Sequence, residues 1–123
     1  MGFNDEIRNR TKTFAINIIR LFQKLPKTSE AYIIGKQMLR SATSIGANFR
    51  AAATSRSEAD FYSKLSIVVE EADETVYWIE LLITTNIAEI ELIKPLYDEA
   101  IELSKILSSS RKTIRDRIKT NNL

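Results

Sequence analysis

Ile34, Met38, Ala42, Ile45, Phe49 and Ala52 recur at steps of four, four, three, four and three, a helical period that runs without a break through a stretch that otherwise reads like a loop. That stretch, RSATSIGANFR over residues 40–50, holds Ser41, Thr43, Ser44, Gly46 and Asn48, all weak helix formers. They are sorted by face. Gly35, Gly46 and Ala53 flank one side of the apolar stripe, and Ser41, Ser44 and Asn48 flank the other. A loop has no reason to sort residues this way, so a helix is predicted over about residues 30–54, its low propensity offset by tertiary packing.

The rest of the chain carries the same period. Ile7, Phe14, Ile18, Leu21 and Leu25 predict a first helix over about residues 4–25, stopped by Pro26, with Thr28 or Ser29 free to cap the second. Ser57 with Asp60 is a capping-box-like start for a third helix over about residues 57–85, with the stripe Phe61, Leu65, Val68, Ala72, Val76, Ile79 and Ile83. Asn86, Ile87 and Ala88 make the next connection. Pro95 is compatible with a first turn, which places the start of a fourth helix near Ile90 to Lys94 and its body over about residues 91–119. Leu92, Leu96, Ala100, Leu103, Leu107, Ile114 and Ile118 carry its stripe, and Thr120 to Leu123 are expected to fray. Three Gly and two Pro in 123 residues leave little punctuation for a many-stranded sheet. One all-α domain over residues 1–123 is predicted, an antiparallel up-down-up-down four-helix bundle with short connections.

Missing residue types narrow the chemistry. Without His or Cys, the chain has no thiol nucleophile, imidazole base, Ser-His-Asp triad or usual zinc ligand. No catalytic residue, metal site or cofactor is predicted. The lack of Cys suits a reducing compartment, and no charged-then-apolar leader precedes Asn4, so a cytoplasmic location is expected. No run approaches the roughly 20 apolar residues that cross a bilayer, and no membrane association is expected.

Leu39-Arg40-Ser41-Ala42, Ser44-Ile45, Ala47-Asn48, Ser57, Asp60-Phe61, Lys64-Leu65, Glu70-Glu71, Glu74 and Trp78-Ile79-Glu80-Leu81-Leu82 together resemble the bacterial four-helix bundle proteins encoded in intervening sequences of large-subunit ribosomal RNA genes. The resemblance covers about residues 7–110. More distantly, the chain is similar to the accessory variability determinant of diversity-generating retroelements. The resemblance implies an antiparallel bundle assembled as a ring-like homopentamer that binds structured RNA or DNA.

Charge is uneven along the chain. Residues 57–89 contain eight acids against one base, Lys64, whereas residues 104–123 contain six bases against one acid, Asp116. On a wheel of about 100° per residue, Lys36, Arg40, Thr43, Ala47, Arg50 and Thr54 share the face of the second helix opposite its core stripe. Planar guanidinium forks suit phosphate, so Lys36, Arg40, Arg50 and Arg56 are the candidate nucleic-acid contacts, with Arg111, Lys112, Arg115, Arg117 and Lys119 extending the surface. The bland alternative is solvation, or pairing with the acids of helix three in the same or a neighbouring subunit. Ile67, Tyr77, Trp78 and Leu81 fall off the core stripe of helix three among acids, the composition of an oligomer interface; packing of Trp78 within its own bundle is the alternative. Glu70, Glu71, Asp73 and Glu74 lack the His that di-iron bundles use. Three functions remain: a homo-oligomeric nucleic-acid-binding accessory protein, an interaction or structural module with no nucleic-acid role, and a metal-dependent hydrolase built on the acids, which has the least support.

Overall fold

The computed structural model describes residues 2–122, and the described chain is four helices with no strand. They are α1 (Phe3–Lys24), α2 (Ser29–Ala53), α3 (Glu58–Thr84) and α4 (Ile90–Asn121). Several boundaries have a local cause. Leu25 is held extended, as a residue before proline prefers, and α1 stops there. The Thr28 Oγ1 accepts the Ala31 N–H at 3.3 Å, and the Ser57 Oγ accepts the Asp60 N–H at 3.1 Å, so each hydroxyl occupies a donor that its helix leaves unpaired. After α3, Asn86 takes a left-handed conformation, φ 58°. Its N–H reaches the Ile83 carbonyl, while that of Ile87 reaches the Leu82 carbonyl, the reciprocal pair of a Schellman C-cap with Asn where Gly is usual.

Packing runs in a ring: α1 against α2, α2 against α3, α3 against α4, and α4 back against α1, with no direct α1 to α3 or α2 to α4 packing among the described residues. Cross-helix pairs set the directions. Thr11 lies against Gly46 and Phe22 against Gly35, so α1 and α2 run antiparallel. Glu58 pairs with Arg117 and Glu80 with Tyr97, so α3 and α4 do too. Phe3 lies beside Ser109, Arg10 pairs with Glu99, and Leu21 lies beside Leu96, which makes α1 antiparallel to α4. Alternation of α2 with α3 follows. Burial of these stripes, at roughly 25 cal/mol per Å² of apolar surface, is the main force holding the four helices.

The core follows the expected stripes in outline, with departures: in α3, Val69 and Leu82 are buried off the stripe, while Phe61, Val76 and Ile83 on it are only partly buried. Thr11 fills the gap between Ile7 and Phe14 and is fully buried, its hydroxyl returned to the Ile7 carbonyl at 2.8 Å. Leu92 is 41% exposed and Ile93 is buried in its place. Counted back from Ala100, Ile93 is seven residues away and returns within about 20° of the same face, whereas Leu92 is about 80° off it. The α4 end is helical through Thr120 and Asn121 rather than frayed, because the Arg117 guanidinium and the Asn121 amide both donate to the Glu58 carboxylate. Leu123 lies outside the described residues. The early start at Ile90 also carries Pro95 into the second turn, on the exposed side.

Ser41 and Thr75 are the other buried polar residues, and they face each other across the α2–α3 seam with Oγ1 to Oγ at 2.8 Å. Ser41 donates to the Met38 carbonyl, and Thr75 lies 2.8 Å from the Glu71 carbonyl, so both hydroxyls are satisfied inside the core. Ser44 and Asn48 bond instead to carbonyls of their own helix, those of Arg40 and Ser44. All three polar flank residues therefore serve the helix and its register.

Candidate nucleic-acid interface

Small residues let α1 and α2 approach closely, and on the outer side of that seam nothing large fills the space. A groove of about 700 Å³ results, floored by Ala15, Thr43, Gly46 and Ala47. Arg8 and Lys12 of α1 and Arg50 of α2 stand along it, and Asp5 is the acid in its lining. None of these three bases has an ion-pair partner among the described residues. Further along the same side of α2, Lys36 is exposed and its Nζ lies 5.3 Å above the centre of the Tyr32 ring.

The four bases expected to act together are not brought together. Arg50 lines the groove, and Lys36 follows it 14 residues back, about 21 Å along the helix. Arg40 turns away to α3. Its Nη1 donates to Glu71 at 3.2 Å and its Nη2 donates to Glu74, so the guanidinium is spent between two carboxylates of its own chain. Of the two partners considered for Arg40, the acids of α3 are the ones it meets within its own chain. Arg56 sits at the end of the bundle, in a hollow shared with Phe3, Phe61 and Arg117. Of the tail bases, Arg117 pairs with Glu58 at 2.7 Å and Arg115 with Asp116 at 3.6 Å.

The expected interface residues do share the outer side of α3. Ile67, Glu74, Trp78 and Leu81 follow at steps of seven, four and three, with Tyr77 beside them. Ile67 is 47% and Tyr77 52% exposed. Trp78 and Leu81 are only half-buried, and Trp78 packs against the core cluster with its ring edge-to-face on Tyr77 at 5.0 Å. Part of the indole is thus committed to its own bundle.

The Trp78 Nε1–H donates to Glu74 at 2.9 Å, and this bond, followed by the contact with Arg40, holds the Glu74 carboxyl below its ordinary value of 4.5. A carboxyl depressed on folding adds stability above its unfolded value, and that contribution is lost as pH falls through the folded one. Indole fluorescence is therefore expected to change below pH 4.5, with a midpoint under that value. In Glu74→Gln the transition disappears. A midpoint at or above 4.5 contradicts the Glu74 assignment.

No three acids converge closely enough to hold a metal ion among the described residues, and no helix of the described chain is long and apolar enough to cross a membrane.

The 23S rRNA-intervening sequence protein model matches residues 4–109, nearly the whole bundle. The chain belongs to that family. The chain is also similar to a solved structure, a protein of unknown function from the S23 ribosomal protein family of Bacteroides thetaiotaomicron, at 38% identity and a TM-score of 0.80, over 89% of this chain and 97% of that one. No curated protein matches the chain. The family resemblance and the four-helix bundle expected of it are therefore both shown, whereas neither description names an activity, a ligand or an assembly.

Within this family member, Arg8 and Lys12 are the site residues that the sequence reading passed over. A signal for them exists. Between Ile7 and Ser57 the chain has ten bases and a single acid, Glu30, so the first two helices form a basic half against the acidic α3.

Proposed function

We propose that this protein is a homo-oligomeric, non-enzymatic nucleic-acid-binding accessory protein whose α1–α2 face meets the sugar-phosphate chain. The reading rests on one observation: Arg8, Lys12 and Arg50 line one groove without ion pairs among the described residues, while acids elsewhere in the bundle do find cations. Uncompensated bases around small residues let a phosphate backbone approach both charge and main chain, and such contacts need no base-specific partner. Ile67 and Tyr77, apolar and exposed on α3, lie on a helix that does not touch α1, so self-association there leaves the groove open.

Binding of a structured RNA is expected to weaken on the order of a hundred-fold between about 50 and 200 mM salt if four phosphates are neutralised. Changing Arg8, Lys12 and Arg50 together to Gln removes most of that binding and flattens the salt dependence, with the melting temperature unchanged. Absence of binding at low salt overturns the nucleic-acid reading. Light scattering tests the assembly: a mass well above 14.0 kDa is expected, falling toward it in Ile67→Glu/Tyr77→Glu. The second reading, an interaction module without a nucleic-acid role, is favoured by the same exposed α3 residues and predicts an oligomer whose mass is indifferent to RNA.

A further inference from the structure

We propose that the α1–α2 face takes single-stranded nucleic acid, with one base stacked on Tyr32 at the α1–α2 turn and the phosphates running past Lys36, Lys12 and Arg8 to Arg50. The inference rests on the nucleic-acid reading above and names its substrate class. Tyr32 is 57% exposed, an aromatic ring left largely to solvent on a basic face. It stands at the rim of a hollow of about 500 Å³ walled by Phe22, Leu25, Pro26 and Lys27. Phe22 supports the ring from one side, with centroids 6.5 Å apart and planes tilted by 47°. Over the ring lies the Lys36 ammonium, 5.3 Å from its centre.

This arrangement is a stacking platform held by a displaceable cation. Lys36 is exposed and flexible, so an arriving base takes its place over the ring while the ammonium moves to the adjoining phosphate. The groove bases then continue the track about 21 Å to Arg50, a distance of several nucleotides. Glu30, the one acid between Ile7 and Ser57, falls on the α3 side of α2, in line with Ser41, so that Asp5 at the Arg8 end is the acid that the groove lining holds against Arg8, Lys12 and Arg50. A duplex does not fit this design. Its bases are stacked inside, so it offers Tyr32 only backbone, and the groove lies in a seam between two helices roughly 8–10 Å apart rather than on a projecting element that could enter a duplex groove.

The test is fluorescence anisotropy of the full chain with labelled oligouridylate, oligothymidylate and a blunt RNA duplex of equal length at low salt. Both single strands are expected to bind at least about ten-fold tighter than the duplex and within a few-fold of each other, because stacking and phosphate contact ignore the 2′-hydroxyl. Tyr32→Ala lowers single-strand affinity by about five-fold or more while leaving the duplex affinity and the salt slope in place, and Tyr32→Phe restores it. Neutralising Arg8 or Arg50 instead reduces the slope by about 0.7 each. Duplex binding equal to or tighter than single-strand binding overturns the inference and leaves the broader reading standing. An unaffected Tyr32→Ala variant does the same, as does a preference above about ten-fold between the two single strands. No binding by any of the three probes overturns both.

Discussion

Changing Phe49 to Ala is expected to cost the bundle about 3–5 kcal/mol, read as the loss in a urea unfolding curve followed by the single tryptophan, Trp78. Phe49 is fully buried and, with Phe14, is among the largest side chains wholly inside the core. Its removal loses both the transfer free energy of the ring and the contacts around the cavity left behind. With total stabilities of ordinary domains near 5–15 kcal/mol, that loss leaves a marginal protein. The comparison that gives the result meaning is Arg50→Ala, one residue on and exposed, which is expected to change stability by no more than about 0.5 kcal/mol. Similar losses in both variants would mean that residues 40–50 are not the helix whose inner face enters the core.

That pair of outcomes depends on a helix phase that was legible from the residues, and the reasons for success and failure differ from helix to helix. In α1 and at its C-cap, Ile7, Phe14, Ile18, Leu21 and Leu25 are all buried, because a single apolar stripe meets a single core. Thr11 was invisible by type: its burial is tolerated only because its hydroxyl bonds to the Ile7 carbonyl, an arrangement that exists once the helix does. Leu92 is misplaced because two successive steps of four, from Ala100 to Leu96 to Leu92, drift off the buried face, whereas Ile93, seven residues before Ala100, stays on it. Exposed Ile16, Ile19 and Ile33 show the converse limit, since apolar type alone does not decide burial.

The site was legible by residue type and not by partner. Basic residues on the outer face of α2 could be counted from the period. Which of them keep a free charge depends on how α2 is registered against α3. The buried Ser41–Thr75 bond sets that register, and it brings Arg40 within reach of Glu71 and Glu74. Arg50, more than two turns further on, meets no such acids and stays with the groove. The same register places Trp78 next to Glu74, so an indole that looked like a free interface anchor became half a core residue.

Gly46 joins the fold to the groove, and two substitutions there separate the two roles. A Cβ at Gly46 would meet the Thr11 Oγ1 at 3.3 Å and its Cβ at 3.5 Å, with the Thr11 backbone carbonyl carbon at 3.6 Å. Thr11 cannot give way, being fully buried and bonded to its own helix. Gly46→Leu therefore pushes α1 off α2 and is expected to destabilise by about 1–3 kcal/mol, despite the better helix propensity of Leu. Because Arg8 and Lys12 ride on α1 and Arg50 on α2, the same variant also loses nucleic-acid affinity. Ala47, the next residue, lines the groove but is exposed, so Ala47→Leu fills the floor without parting the helices. It is expected to keep the wild-type melting temperature within a degree or two and to lose at least about five-fold in binding, the equivalent of roughly 1 kcal/mol. Unchanged binding in Ala47→Leu would show that phosphate does not enter between Lys12 and Arg50, and the contacts would then have to lie on the rims alone.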